Sequence, residues 1–371
     1  MCLEVGLFSR ATLKPLDKVF DFDDEKRVIL EYIRGGEWFT VSGIRRVGKT
    51  TLVRSVVNHL GFRSIYINLW EIDEDRPFSD FVLRFSRELL SLKDSSWRRR
   101  LRSIEEISVL GFRVRIRREE VEFYLDELIG DILSRDRLVV ILDEVYTLGG
   151  ELRTLARLLA VLHDKYAPKL TVILLGSIAS IRDLFETKTE ETEPLYGRIT
   201  REFVLRPLAL HQAKRFLRAG FEECGVDVDD EIIDMAVDEL GTITGWLVEF
   251  GREYVLEARA LSKVDPINII RRVQRRSRQI VYGEIARALR GKRRPDIYLR
   301  ILKLIANNPN ITLAELSEAL NRKKPTILQY TNYLAFRNII KAEEGHYNIA
   351  DPLYRRAILH RNFEVEVKKR L

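Results

Sequence analysis

A glycine-rich stretch near the start of the chain has the residue types and spacing of a phosphate-binding loop. Residues 43–51 read Gly-Ile-Arg-Arg-Val-Gly-Lys-Thr-Thr and fit the pattern G-x-x-x-x-G-K-S/T. In such a loop the glycines let backbone N–H groups point at phosphates, the lysine reaches the terminal phosphates, and the next hydroxyl binds Mg²⁺. The stretch therefore predicts a site for ATP or ADP with Mg²⁺. The residues predicted to hold the nucleotide are Gly43, Ile44, Arg45, Arg46, Val47, Gly48, Lys49, Thr50 and Thr51.

The second chemical feature is a pair of adjacent acids, Asp143 and Glu144, which follow an apolar run. A carboxylate at the end of a strand beside a phosphate loop can hold Mg²⁺, and a second carboxylate can polarise the water that attacks the γ-phosphate. We therefore expect Asp143 and Thr50 to bind the metal and Glu144 to activate water. With Lys49 on the phosphates, this chemistry is ATP hydrolysis.

Short apolar runs alternate with amphipathic stretches as far as about residue 207. The alternation predicts an α/β fold, in which a parallel sheet is covered by helices on both faces. The runs that predict buried strands are residues 38–41, 64–69, 138–142, 170–175 and 203–205. The stretches that predict helices between them are residues 78–90, 119–133 and 152–164.

Beyond this region the pattern changes twice. Residues 210–261 read as helical without strand signals, and the chain becomes basic after Asp265 and Pro266. Residues 271–300 hold eleven Lys or Arg against two acids, a local net charge of +9. We therefore predict three domains. They are a P-loop ATPase domain at 1–208, a helical lid at 209–265, and a basic linker helix with a winged-helix domain at 266–371.

The C-terminal part predicts a winged helix, which is three helices followed by a hairpin. The predicted helices are residues 297–306, a second from the capping-box pattern at Thr312 to Leu320, and a third from Pro325. This layout places the third helix in the major groove of duplex DNA. Winged helices also dock proteins, so DNA and a protein partner stay open. The polar residues that could contact DNA are Lys323, Lys324, Thr326, Gln329, Tyr330 and Asn332.

Another basic segment stays undecided. Trp97 is followed by three arginines, and Arg113, Arg115 and Arg117 alternate with other residues. Both patterns suit a nucleic-acid surface. The alternation also suits a two-stranded ribbon with one solvated face.

Six segments carry a family resemblance. They read GIRRVGKT (43–50), LVVILDE (138–144), LLGSIASI (174–181), PLYGRITREFVLRPL (194–208), LGTITGWL (240–247) and YNIADPLYRR (347–356). They resemble the archaeal ATPases of the AAA+/STAND assemblage, which are relatives of the archaeal origin-recognition initiators. The resemblance spans residues 20–356 except 93–118. It implies an AAA+-like P-loop fold followed by a helical lid and a winged helix, with ATP hydrolase activity.

The resemblance also implies roles for single residues. Ser177 stands where such ATPases carry a small polar sensor for the γ-phosphate or the attacking water. Arg198 and Arg201 are candidates for a charge-stabilising arginine, offered within the chain or to a neighbouring subunit in an oligomer. Two plainer interpretations stay open. Ser177 could simply end a strand, and Arg198 could form an ion pair with the acids at 190–193.

The composition of the chain indicates the cellular compartment. The chain has 371 residues and a net charge of +7, which by itself indicates no nucleic-acid partner. Two cysteines, Cys2 and Cys224, cannot form a disulfide framework and lack metal-ligand spacing, which favours a reducing compartment. No apolar run approaches the length of a membrane span. We therefore expect a cytoplasmic protein without membrane contact.

Two functional hypotheses remain. In the first, the protein is an ATPase switch whose nucleotide state controls the C-terminal module. In the second, it is a nucleotide-stabilised DNA-binding or regulatory scaffold that hydrolyses ATP slowly or never. Glu144 favours the first hypothesis, because a pure binding module has no use for an acid that polarises water at that position.

Overall fold

The computed structural model describes residues 2–72, 77–92, 106–109, 112–115, 122–183, 194–261 and 263–371. The chain forms two compact units. The α/β unit consists of Phe22–Gly43 and Lys49–Val204, and the helical unit consists of the chain up to Asp21, Ile44–Gly48 and Leu205–Leu371. The three domains predicted from the sequence stay a prediction, because these units follow packing and not chain order.

A parallel sheet forms the centre of the α/β unit. The strands of this unit are β1 Trp38–Gly43, β2 Arg63–Asn68, β3 Glu106–Val109, β4 Phe112–Arg115, β5 Glu122–Tyr124, β6 Leu138–Asp143, β7 Leu170–Gly176 and β8 Ile199–Leu205. Five of them form the sheet in the order β2-β6-β7-β1-β8. Every residue of β1, β6 and β7 is buried, which explains their continuous apolar runs. The predicted α/β fold class is confirmed.

The register of the sheet brings several strand ends to one edge. Asn68 lies beside Asp143, and Ser42 lies beside Gly176. These residues are at the carboxyl ends of β2, β6, β1 and β7. The last residues of these strands are therefore neighbours in space, at the edge of the sheet where α/β proteins place ligands.

Helices connect the strands of the α/β unit. They are α1 Asp23–Gly35, α2 Lys49–Leu60, α3 Pro77–Ser91, α4 Leu125–Arg135, α5 Leu152–Tyr166 and α6 Ile178–Asp183, with 3-10 helices at Leu69–Glu71 and Val145–Glu151. Helix α2 buries Leu52, Val53 and Val56, a spacing that places one apolar stripe toward the core. The helix predicted at 119–133 starts too early, because β5 occupies 122–124.

A second, smaller sheet has the order β4-β3-β5. Strands β3 and β4 are antiparallel, with Arg113 opposite Ser108 and Arg115 opposite Glu106. The pairing of two strands agrees with the ribbon interpretation, and the solvated face stays a prediction. Arg117 and the residues 97–100 lie outside the described residues.

Two hydrophobic cores organise the helical unit. The first is built by residues between Leu208 and Val273 together with Leu7, Phe8 and Leu353, and the second by residues from Val281 to Val367. The helix Pro266–Leu289 contributes to both cores. The helices of this unit are Cys2–Val5, the 3-10 helix Leu16–Lys18, α7 Leu210–Glu223, α8 Asp230–Leu240, α9 Thr244–Ala260, α10 Pro266–Leu289, α11 Pro295–Asn307, α12 Leu313–Ala319, α13 Lys324–Phe336, α14 Pro352–Leu359 and α15 Phe363–Lys368.

The N-terminal segment is fixed to the first core. The ring of Phe8 meets the rings of Phe216 and Phe221 edge-on, at centroid distances of 5.9 and 5.0 Å. Gly220 and Gly251 allow this approach, because a Cβ on either would lie 2.4 Å from the Phe8 ring.

A disulfide joins Cys2 to Cys224, with a Cα–Cα distance of 5.4 Å. The prediction that these two cysteines form no disulfide is therefore wrong. The two cysteines are 222 residues apart in sequence. Only the folded N-terminal segment brings them together.

The C-terminal helices α11, α12 and α13 form a winged helix with a three-stranded sheet of order β10-β11-β9. The strands are β9 Ile311–Thr312, β10 Lys341–Glu343 and β11 His346–Asn348. The capping box at Thr312 is present, since Thr312 N donates to Glu315 Oε2 at 2.7 Å and Glu315 N donates to Thr312 Oγ1 at 3.3 Å. Among the described residues, no helix is long and apolar enough to cross a membrane.

Candidate nucleotide site

The glycine-rich stretch connects β1 to α2. Gly43 ends the strand and Lys49 begins the helix, so Ile44–Gly48 form the connection. Gly43 and Gly48 have φ values of 149° and 113°, a backbone region that favours glycine. The first turn of α2 supplies N–H groups and the positive end of the helix dipole, which suit an anion. The local backbone therefore fits the predicted phosphate-binding role.

Lys49 is buried, at 6% exposure. Its Nζ donates to the carbonyl oxygen of Gly43 at 3.0 Å. The side chain therefore points back to the end of β1, as the lysine of a phosphate-binding loop does to reach the terminal phosphates.

Two oxygen ligands for a metal lie together in the α/β unit. Thr50 Oγ1 donates to Asp143 Oδ2 at 2.5 Å, and the Tyr66 hydroxyl donates to the same oxygen at 3.0 Å. Burial raises the pKa of Asp143, and the neighbouring Glu144 raises it further. A hydroxyl and a buried carboxylate are hard oxygen donors, which suit Mg²⁺. Thr50 and Asp143 therefore fit the metal-binding role predicted for them.

Tyr66 was not predicted from the sequence. It lies on β2, and its backbone is paired with Ile141 of β6, two residues before Asp143. The strand pairing brings its hydroxyl to the carboxylate. A register between two strands is not readable from local spacing.

Glu144 occupies an unusual backbone position, with φ 58°. Its N–H donates to Asp143 Oδ1 at 2.9 Å, and its carbonyl oxygen accepts from Thr147 N at 3.0 Å. Within the part of the chain that the structure describes, its carboxylate makes no hydrogen bond or ion pair.

Ser177 follows the last residue of β7, at the edge that also holds Asp143. It is 1% exposed. Its Oγ accepts from Ser180 N at 2.9 Å, so the hydroxyl stabilises the start of α6. The position agrees with both interpretations of this serine, and its sensor role stays a prediction.

Arg198 forms a two-point ion pair with Asp164. Its Nε and Nη2 donate to the two carboxylate oxygens at 2.8 and 2.7 Å. This pairing lowers the pKa of Asp164 to about 2. The acids at 190–193, predicted as partners in the plainer interpretation, lie outside the described residues. The guanidinium of Arg201 lies over the ring of Phe203, 4.8 Å from its centroid.

Arg198 and the acidic pair lie at opposite edges of the sheet. Just beyond Arg198, Thr200 Oγ1 donates to the carbonyl oxygen of Trp38, the first residue of β1. Gly43 is at the other end of this six-residue strand, a distance of about 17 Å at the usual strand rise. Within its own α/β unit, Arg198 is therefore far from Lys49 and Asp143.

The two arginines of the glycine-rich stretch face a carboxylate of the helical unit. Arg45 Nη1 lies 2.9 Å from Glu284 Oε2, and Arg46 Nη2 lies 2.8 Å from Glu284 Oε1. Glu284 was not predicted from the sequence. The sequence could have indicated Glu284, because it is the single acid among the arginines of the helix Pro266–Leu289.

The third helix of the winged helix presents a polar face. Lys323, Lys324, Gln329 and Asn332 are exposed. Thr326 and Tyr330 are half-buried, and the Tyr330 ring packs edge-on against Tyr298 at 4.7 Å. Four of the six predicted contact residues are therefore accessible to a partner.

Part of the basic stretch is already neutralised. Arg272 pairs with Glu253 at 3.1 Å, and Arg276 pairs with the same carboxylate at 2.7 Å. Other arginines of the stretch are exposed. They include Arg271, Arg275, Arg290, Arg293 and Arg300.

Comparisons with known proteins agree with this arrangement. The family model described as an ATPase domain predominantly from Archaea matches residues 20–250, and a winged helix-turn-helix DNA-binding model matches residues 296–340. The Walker-type ATPase Paby2304 of Pyrococcus abyssi is 25% identical, with a TM-score of 0.75 over 95% of this chain and 99% of that one. No curated protein sequence matches the chain.

Two more distant solved structures also align over most of the chain. The Thermotoga maritima RuvB Holliday junction branch migration motor is 12% identical, with a TM-score of 0.47 over 92% of this chain and 95% of that one. The Aeropyrum pernix ORC1 protein, solved in complex with DNA, is 14% identical, with a TM-score of 0.48 over 92% of this chain and 93% of that one.

Proposed function

This chain belongs to the family of ATPase domains found predominantly in Archaea, and from that premise we propose that it binds ATP with Mg²⁺ and hydrolyses it. The observation that carries the proposal is the contact between Thr50 Oγ1 and Asp143 Oδ2 at 2.5 Å, with Glu144 next to it. A metal-binding pair and an adjacent carboxylate serve both nucleotide binding and hydrolysis.

Each residue has one role in the proposed reaction. Lys49 binds the terminal phosphates, and Thr50 and Asp143 would hold Mg²⁺, which neutralises phosphate charge when bound. Glu144 takes a proton from the attacking water, whose oxygen bonds to the γ-phosphorus. The bond from that phosphorus to the bridging oxygen breaks, and ADP leaves with the electron pair. Ser177 is the proposed sensor at the same edge.

We assign Arg198 to a neighbouring subunit's site in an oligomer. Its position at the opposite edge of the sheet from Gly43 supports a role between subunits over one within the chain. A guanidinium stays charged and matches phosphate oxygens in pairs, which suits stabilisation of the transition state. Its ion pair with Asp164 would keep the guanidinium in one orientation before the neighbouring subunit binds.

The winged helix is proposed to bind duplex DNA. The match to a winged helix-turn-helix DNA-binding family supports this role, and so does the exposed polar face of α13. Gln329 and Asn332 are the proposed base contacts, because side-chain amides pair with adenine in the major groove. Exposed arginines of the basic stretch would contact phosphates. Nucleotide state would then control the DNA-binding module.

Replacement of Glu144 tests the hydrolysis claim. Because Glu144→Gln cannot accept the proton, turnover should fall about 100-fold or more, while MgATP binding stays within a few-fold of the parent. Steady-state hydrolysis and calorimetric titration measure the two quantities. Glu37→Gln, an exposed acid of the same unit, is the control. Equal turnover in Glu144→Gln and the parent would refute the role of Glu144, and little or no turnover in the parent would favour the scaffold hypothesis.

A further inference from the structure

A half-buried ion-pair cluster holds the glycine-rich stretch within the helical unit. Arg45 and Arg46 bind different oxygens of the Glu284 carboxylate, at 2.9 and 2.8 Å. The side chains of Arg45 and Glu284 are 9% and 15% exposed. One carboxylate therefore holds the side chains of two consecutive loop residues.

Aromatic and backbone contacts hold Arg46 in the same place. Its guanidinium lies 4.5 Å from the ring centroid of Trp246, and its carbonyl oxygen accepts from Gly245 N at 3.0 Å. A Cβ on Gly245 would lie 2.7 Å from the Arg46 Cβ, so glycine is needed for this approach. Arg46 also has φ 63°, a conformation that few side chains adopt without support.

The charges of the cluster depend on one another. Burial opposes ionisation of Glu284, but Arg45 and Arg46 outweigh burial and hold its pKa below the ordinary value. The carboxylate is therefore ionised at neutral pH. Removing its charge would take away a carboxylate that both arginines share, which disfavours the observed positions of their side chains.

We propose that Glu284 is a positioning residue for the phosphate-binding loop. It acts through Arg45 and Arg46, whose backbone N–H groups belong to the stretch that must point at phosphates. The inference rests on the proposed nucleotide-binding function. Because Glu284 lies on α10, which enters both cores of the helical unit, the loop conformation and hence nucleotide affinity depend on that helix.

The test compares two carboxylates of the full-length chain. Glu284→Gln should weaken MgADP binding about tenfold, because a loop that is no longer held must be ordered on binding. The KM for ATP should rise by a similar factor while kcat changes less than threefold. Glu253→Gln is the matched control. Like Glu284, Glu253 pairs with two arginines and has a similarly exposed side chain, at 16%, but its arginines lie on α10 and not in the loop. It should leave MgADP affinity unchanged.

Glu284→Asp keeps the charge and should recover at least half of the lost binding free energy. If Glu284→Gln does not fold, the MgADP affinity of Glu284→Asp is compared directly with that of the parent. Unchanged MgADP affinity in folded Glu284→Gln, or equal losses in the Glu284 and Glu253 variants, would overturn the inference. A parent chain that binds no MgADP would overturn the proposed function itself. Calorimetric titration of all four proteins separates these results.

Discussion

The backbone of Glu144 lies in the left-handed region, with φ 58°. This conformation costs a non-glycine residue on the order of 1–3 kcal/mol and is concentrated at functional sites. Hydrogen bonds from Glu144 N to Asp143 Oδ1 and from Thr147 to the Glu144 carbonyl oxygen support it. The strain agrees with a proposed role in which the carboxylate must be held at a fixed place next to the metal ligands.

Arg198 gives a prediction about neighbouring subunits. Arg198→Ala should lower hydrolysis by 10³-fold or so while MgATP affinity changes little, because the arginine acts mainly on transition-state charge. Mixing Arg198→Ala with Glu144→Gln should restore part of the activity. Mixed oligomers then contain sites with an intact Glu144 and a neighbour's intact Arg198. Hydrolysis by the single variants and by their equimolar mixture is the measurement.

Arg157→Ala, an exposed arginine of α5, is the control for Arg198 and should leave hydrolysis unchanged. A mixture that stays as inactive as its components, in a chain proven to be oligomeric, would contradict action between subunits. Arg201→Ala tests the other candidate in the same assay.

At the scale of elements, local sequence patterns correctly predicted features that form within a single helix or strand. The capping box at Thr312 and the buried runs of β6 and β7 were both predicted. The helices α14 and α15 were missed because they have only 8 and 6 residues, too few to show a period.

Contacts between distant elements were not predictable from spacing. Tyr66 reaches Asp143 only through the pairing of β2 with β6. Glu284 meets Arg45 and Arg46 across 238 or more residues of sequence. In these cases tertiary packing determines which residues come into contact, and local periodicity carries no information about that packing.

The start of α14 makes the stability of the helical unit depend on pH. Asp351 Oδ1 accepts from Leu353 N, and its Oδ2 accepts from Trp246 Nε1, both at 2.8 Å. Burial raises the pKa of Asp351 to about 6. Because the folded pKa exceeds the unfolded value near 3.9, folding favours the protonated carboxyl. Its contribution is complete below pH ~4 and is lost as the pH rises through 6.

Asp351→Asn should remove this pH dependence. Two pKa units correspond to about 3 kcal/mol, so the free energy of unfolding of the parent should lose about that much relative to Asp351→Asn between pH ~4 and ~7. Urea unfolding across this range measures the difference. Asp227→Asn, an exposed acid, should follow the parent at every pH. A difference between parent and Asp351→Asn that stays constant with pH would contradict the account.

At the scale of the whole molecule, the net charge of +7 conceals an uneven distribution. Residues 271–300 carry a net +9, and α9 neutralises two of their arginines through Glu253. The remaining exposed arginines belong to the unit that contains the winged helix. The positive charge that the proposed DNA-binding surface could use is therefore smaller than composition suggests.

DNA binding should depend steeply on salt. Phosphate contacts release counterions, so Arg293→Ala should reduce the slope of log affinity against log salt by about 0.9 if Arg293 makes one contact. Salt titrations with a mixed-sequence duplex and the full-length chain measure the slope. Arg135→Ala removes one exposed charge from the α/β unit and should leave the slope unchanged. No binding even at low salt would indicate that the winged helix docks a protein.

The central claim is that residues 43–51 bind ATP with Mg²⁺, and a calorimetric titration of MgATP into the parent and Lys49→Ala tests it most directly. The account predicts Mg²⁺-dependent binding in the parent. It also predicts a loss of about 100-fold or more in Lys49→Ala, because the buried ammonium is the charge aimed at the terminal phosphates. Lys263→Ala, an exposed lysine, should bind as the parent does. Unchanged MgATP affinity in a folded Lys49→Ala protein would contradict the claim.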